Sequence, residues 1–361
     1  NLGIILGGLL LGPWLGMEGF AWGVLAGALA GNLGLQIAGA RRVGMRLRLA
    51  WAWRHPDVRE YLRLTLPLMV GLSMTFSTEF LFRFFGSYLP AGGIAVLNFS
   101  LRVMLILVGV FGQAVGTASF PLMARLAEEG EMAELNRLLN RTLRYLALVI
   151  PVSCLLMVVS TEVVRILFER GRFQPAATSL TAEALVYFLA GAVAFAANTV
   201  VVRGFYAARD TLTPALFGTL AVLGGLPIYL AGLALMGVPG VALAVSVSGI
   251  LQAVVLYILW NRRSANTGQG EVFRFYLKMA LLSLVLIPLL AGCRSLALEV
   301  IDASGLLADL AVTLLVGAAF LALMLLAGRI LKVAEITDAA SFFLRALGVR
   351  RPMSGGSGRL P

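Results

Sequence analysis

The chain has 361 residues, 60% of them hydrophobic and 13% charged, against about 25% charged in an ordinary soluble domain. That composition excludes a soluble globular enzyme and indicates an integral membrane protein. The net charge of +11 lies in short clusters between apolar runs, without an interleaved aromatic stripe, so it speaks for membrane topology and against nucleic-acid binding.

Apolar runs of roughly 20 residues match the length of an α-helix crossing about 30 Å of hydrocarbon, not the ~10-residue alternation of an outer-membrane barrel. The fold class is therefore all-α, a polytopic transmembrane helical bundle of about ten helices. The spans are residues 1–17, 19–40, 64–89, 93–122, 143–161, 180–203, 214–236, 238–260, 274–292 and 304–328. Asn1 already stands inside an apolar run, with no initiator Met, basic n-region or cleavage site, and the chain reads as the C-terminal part of a longer protein.

In chain order, Gly23, Gly27 and Gly31 recur every four residues, and Gly112 and Gly116 repeat the spacing, the pattern that lets helix backbones approach closely in lipid. Residues 41–63 mix seven Arg with Trp51, Trp53 and Leu62, the composition of a cytoplasmic segment at headgroup level. Ala127 to Arg144 places Glu134 one turn before Arg137 and reads as a solvated helical hairpin. Pro67, Pro121, Pro151, Pro214, Pro227 and Pro288 lie in or at the ends of spans, where a missing N–H permits bending. Cys154 and Cys293 carry no metal-ligand spacing. The tail from Ser354 to Pro361 is Ser/Gly-rich and basic.

Arg and Lys in short loops stay on the cytoplasmic side. With the loop after the second span inside, 23 basic residues are cytoplasmic and only Arg165, Arg170, Arg172 and Arg294 are outside. Asn1 and the basic C-terminal tail are then both cytoplasmic.

Glu79, Arg83 and Arg102 lie within spans three and four, where each charge costs about 2.5 to 3.5 kcal/mol on insertion scales, so they mark a polar cavity or mutual pairing. Glu79 and Arg83, four apart with the acid first, can pair. Arg102 has apolar neighbours, Leu101, Leu105 and Leu107, and a planar donor fork suited to phosphate or pyrophosphate. Enzyme chemistry is not expected: His55 is in a loop, and no HExxH, Asp-rich metal motif, GxSxG or nucleotide loop is present.

Three stretches together resemble the MurJ/MviN family of lipid II flippases, in the multidrug/oligosaccharidyl-lipid/polysaccharide exporter superfamily. They are AGGIAVLNFSLRVMLILVGVFGQAVGTASFPLMARLA from Ala91, VRILFERGRFQPAATSLTAEALVYF from Val164, and RGFYAARDTLTP from Arg203. The resemblance implies a two-lobed transporter of fourteen helices, with helices five to fourteen present here. Residues 1–40 would then close the N-terminal lobe and 41–63 form a basic cytoplasmic interfacial segment. Residues 64–262 would make the C-terminal six-helix lobe, 263–332 two extra helices forming a lipid-tail groove, and 333–361 a basic cytoplasmic tail.

It further implies a monomeric transporter in the bacterial cytoplasmic membrane, moving undecaprenyl-pyrophosphate-linked peptidoglycan precursor to the periplasmic leaflet by alternating access. Membrane lipids are its other partners. Arg102 matches the family's required arginine in helix eight, and Arg83 and Glu79 would support it as cavity charges. Acids that flank that arginine in some members are here Leu101 and Leu105, and a following proline is Leu107. No cofactor is implied. Sodium or the membrane potential is the candidate driving force, yet sodium ligands are not evident, because Phe82 and Gly225 or Tyr229 stand at the matching positions. The competing readings are a flippase for another polyprenyl-linked glycan, such as O-antigen or exopolysaccharide, a non-transporting membrane scaffold, and a membrane-embedded glycan-lipid enzyme.

Overall fold

The computed structural model describes residues 2–45, 55–63, 65, 77–171, 173–301, 305–331 and 335, with the backbone alone at 77–79. The chain divides into two compact units, Asn1–Arg63 and Leu64–Pro361. Among the described residues eight helical segments are long and apolar enough to cross a membrane, and no strand occurs. The fold is that of a multi-pass helical membrane protein.

In the first unit, α1 (Leu2–Leu10) and α2 (Gly12–Leu15) are separated at Leu11, so the run expected as one span at 1–17 is interrupted. Gly16, with φ +57°, turns the chain into α3 (Met17–Ala28), which passes through a π-turn at Leu29–Gly34 into α4 (Leu35–Arg42). Glycines are the reason α1 and α3 pack so closely. A Cβ on Gly3 would stand 2.6 Å from the Gly27 Cα, and one on Gly7 2.6 Å from the Gly19 oxygen. The expected repeat holds at Gly23 and Gly27 but not at Gly31, around which the space is open. Residues 56–63 are helical, and Asp57 N–H donates to His55 Nδ1 (3.3 Å), a local contact beside a helix start. Trp51, Trp53 and the tail at 336–361 lie outside the described residues.

The second unit comprises α5 (Ser77–Gly86), α6 (Gly93–Val108) and α7 (Ala114–Glu128), the last two joined by a π-turn at Gly109–Gln113. Next come α8 (Met132–Leu146), α9 (Val149–Val158) and α10 (Ser160–Phe168). The remainder is α11 (Pro175–Ala207), α12 (Leu212–Gly224), α13 (Leu226–Met236), α14 (Val238–Arg263), α15 (Gln269–Val300) and α16 (Leu306–Ile330). Its spine is α11, 33 residues long, which packs on α6 to α10 and most extensively on α14. Small residues let it serve that many neighbours: a Cβ on Gly191 would meet the Ser246 Cα at 2.7 Å, and one on Gly112 the Ala196 Cα at 2.8 Å. Ser246 Oγ, fully buried, donates to the Tyr187 carbonyl (2.7 Å), tying α14 to α11.

The solvated hairpin expected at 127–144 is corrected. Residues 132–146 form an amphipathic helix whose Leu135, Leu139, Leu143 and Leu146 are buried, continuous with the α9 span, while Glu134 and Arg137 pair on the outer face (2.7 Å). Leucines at i, i+4 spacing bury one face whatever charges line the other. Asparagines fasten α8 further: Trp260 Nε1 donates to Asn136 Oδ1, Asn136 Nδ2 to the Ser264 carbonyl, and Asn140 Nδ2 to Asn266 Oδ1, at 2.8 to 2.9 Å. Helices α15 and α16 pack mainly on α8, α9 and α10 and on each other around a second apolar core of Met279, Leu286, Val312 and Val316.

Between α11 and α12 the connection is closed by Asp210. Its Oδ1 accepts the Thr213 N–H (3.0 Å), its Oδ2 accepts the Thr213 hydroxyl (2.6 Å), and Arg263 pairs with it. Partial burial pushes its pKa up, but the Thr213 bonds and the Arg263 charge outweigh that and hold it below the ordinary carboxylate value.

Two predictions follow from this packing. Gly112→Val, which overpacks the α11 interface, should cost about 1 to 3 kcal/mol and lower the melting temperature of the purified protein, whereas Gly109→Ala, in open space, should leave it unchanged. Asp210→Asn should also destabilise. Because the folded pKa lies below the unfolded value of about 3.9, the stabilisation is present above that pH and is lost as pH falls through the folded pKa. The difference in melting temperature between wild type and Asp210→Asn should therefore hold from pH 7 to 5 and shrink below about pH 4.

Candidate functional site

Arg102 is displayed by the packing of α6. Leu97 and Met104 are fully buried, and Val96, Ser100, Val103 and Leu107 complete the inward face. Two contacts fix its rotation: Ser100 Oγ donates to the Thr181 carbonyl of α11 (2.8 Å), and the Phe99 ring packs on Phe168 and Phe173 at 4.8 and 5.5 Å. The opposite face carries Arg102, Leu105 and Ile106, all exposed. Among the described residues Arg102 has neither an ion pair nor a hydrogen bond. Its fork of donors therefore stands beside the exposed Leu105 and Ile106, nine residues into a helical segment, Gly93–Glu128, of membrane-spanning length.

Arg83 is also exposed, on α5, which precedes α6 across the turn at 87–92. It lies three residues before the end of α5, and Arg102 nine residues after the start of α6, so the two cations stand on helices that are consecutive in the chain. The Glu79 carboxylate lies outside the described residues, so the expected pairing with Arg83 does too. Phe82 and Tyr229, which stand where sodium ligands would be sought, are fully buried, and Tyr229 stacks on Phe85 (5.1 Å). Among the described residues no group of three or more His, Cys, Asp and Glu could hold a metal.

Two arrangements escaped the sequence reading. Arg203, counted as a loop cation, lies inside α11, and its Nη2 donates to Gln113 Oε1 (2.9 Å) and Thr117 Oγ1 (3.2 Å) beside the π-turn. Gly116 makes the room, because any Cβ there would collide with the guanidinium. The stretch RGFYAARDTLTP thus builds a helix junction, with Phe205 edge-on to Trp260 (5.2 Å). Arg294, expected in an outer loop, lies within α15, where Nε and Nη2 both donate to Glu162 Oε1 at 2.9 and 2.6 Å. Arg165 pairs in turn with Asp309 of α16 (2.7 Å). Glu162 and Asp309 are 2% and 1% exposed, so these carboxylates are covered by packed protein although Asp309 stands in the first turn of α16.

The family model described as lipid II flippase MurJ matches residues 1–326. A probable lipid II flippase of Rhizobium meliloti is 30% identical over 244 residues, covering 67% of this chain and 45% of the relative. A lipid II flippase of Burkholderia cenocepacia is 25% identical over 301 residues, covering 81% and 58% respectively. The solved structure of a lipid II flippase in an inward closed conformation superposes with a TM-score of 0.67 at 20% identity, covering 96% of this chain and 66% of that one, a likeness of fold. The chain spans about half the length of the curated relatives it matches. The match of the family model along nine-tenths of the sequence, on a multi-pass helical fold, places the chain in the MurJ lipid II flippase family.

Proposed function

We propose that the protein moves lipid II, the undecaprenyl-pyrophosphate-linked peptidoglycan precursor, from the cytoplasmic to the periplasmic leaflet of the bacterial inner membrane by alternating access. The observation that carries this reading is Arg102, a cation on the exposed face of a span, without a partner among the described residues and surrounded by Leu105 and Ile106. A guanidinium at that depth is expensive in hydrocarbon and belongs against water or an anion. Its planar fork binds a pyrophosphate through paired hydrogen bonds, which suits a headgroup that must be shielded while it crosses. Arg83, on the preceding helix α5, and Glu79 would extend the polar path.

Residues 64–262 serve as the C-terminal lobe and 263–332 as the appended pair beside which the polyprenyl tail travels, its chain staying in lipid. Transfer breaks no bond, so the protein is a transporter and needs no catalytic residue. The basic clusters put Asn1 and the C-terminal tail on the cytoplasmic side. Sodium or the membrane potential is the candidate driving force, with Phe82 and Tyr229 buried at the positions where sodium ligands would be sought. The transporter acts as a monomer.

Full-length protein expressed in bacteria depleted of their own flippase should restore lipid II accessibility at the outer leaflet. Arg102→Ala should abolish it, and Arg102→Lys, a point charge without the fork, should restore less than a tenth. Wild-type activity in Arg102→Ala would contradict the assignment of the site. Stable insertion of the wild type with no lipid II movement would shift the substrate to another polyprenyl-linked glycan.

A further inference from the structure

Glu162 and Arg165 stand one turn apart on α10, a helix of nine residues. Glu162 takes both bonds of Arg294 from α15, and Arg165 reaches Asp309 in the first turn of α16. One short helix thus holds both appended helices, each by a single charge pair whose carboxylate is almost fully buried. The second oxygens, Glu162 Oε2 and Asp309 Oδ2, have no hydrogen-bond partner among the described residues.

Such pairs are poor devices for stability, because removing two charges from water costs about as much as their attraction returns. What they supply is register. Between helices in lipid there is no hydrophobic force to choose one alignment over another, and the apolar contacts of Leu286, Val312 and Val316 would be nearly as good after a slip along the axis. Two charge pairs on the same turn of α10 are satisfied in one alignment only.

The same segment reaches the cation site. Phe168 at the end of α10 and Phe173 beyond it, both of the ILFERGRF stretch, close on Phe99, one turn before Arg102, and the Thr178 hydroxyl donates to Glu169 Oε2 (2.5 Å), fixing this stretch to the start of α11. Near the start of α15, Arg144 of α8 pairs with Glu271 (3.2 Å), so the segment from α8 to α10 grips α15 near both its ends.

We infer that Glu162, Arg165, Arg294 and Asp309 are positioning residues that lock the appended helices in one register to the Arg102-bearing lobe, so that the headgroup site and the tail path travel as a single body. This inference deepens the transport reading and rests on it for its functional meaning, but its geometry is testable without transport. Spin labels replacing Ile106 on α6 and Leu284 on α15, in full-length protein lacking Cys154 and Cys293 and held in lipid nanodiscs, report the separation directly by pulsed electron resonance. Both positions are exposed, at 62% and 66%.

One narrow distance peak is expected, unmoved by added lipid II. Arg294→Gln should broaden it, and Arg294→Lys, which keeps the charge, should keep it narrow. Two populations in the wild type, a peak that moves with lipid II, or an Arg294→Gln peak as narrow as wild type would each overturn the inference. Arg102→Ala serves as the separate control for the headgroup reading, since it should stop transport and leave the distance unchanged.

Discussion

A charge at the depth of the hydrocarbon must be matched by an opposite charge, by hydrogen-bonding side chains, or by water, and the second unit of this protein is arranged around all three solutions. Glu162 and Asp309 are matched by arginines from other helices and lie buried in protein. Arg203 is matched by Gln113, Thr117 and the Thr199 carbonyl at a place where Gly116 gives it room. Arg102 is matched by nothing among the described residues of its own unit, and the packing of α6 turns it outward. The first two arrangements fix where helices sit. The third creates a demand for an anion or water, and the proposed transport rests on that demand.

Holding Arg102 outward takes the rest of the lobe. Small residues on α11 let the long central helix approach α6 and α14 closely, and serine hydroxyls bonded to backbone carbonyls pin the rotation of each neighbour. A π-turn follows one turn after Ile106, where one wider loop of backbone redirects the remainder of the span. On the other side α10 and the stretch beyond it clasp Phe99 and extend the same rigid assembly to α15 and α16.

Much of this was legible in the residues, and the exceptions have physical causes. Spans were readable because a length of apolar sequence has only one way to satisfy its backbone in lipid. The close backbone approach at Gly112 was readable from spacing, whereas Gly116 makes room for the Arg203 side chain and Gly31 shows that spacing alone does not supply a neighbour. The ion pairs of α10 were not readable, because Glu162 and Arg294 are 132 positions apart and nothing local names the partner. Arg203 was misplaced because a basic residue near a span end looks like a loop cation. In α8 the charges drew attention away from the Leu135, Leu139, Leu143 periodicity that decides its burial.

The central claim is that the exposed face of α6 borders water and not lipid. The direct measurement is the reactivity of Arg102→Cys, in full-length protein lacking Cys154 and Cys293, toward a membrane-impermeant thiol reagent in intact cells and in inverted membrane vesicles, with Leu284→Cys on the outer face of α15 as the lipid-facing reference. The account requires Cys at position 102 to be modified from at least one side, and at least tenfold faster than Cys at position 284. Equal, negligible labelling of both positions would put Arg102 against hydrocarbon and contradict the account.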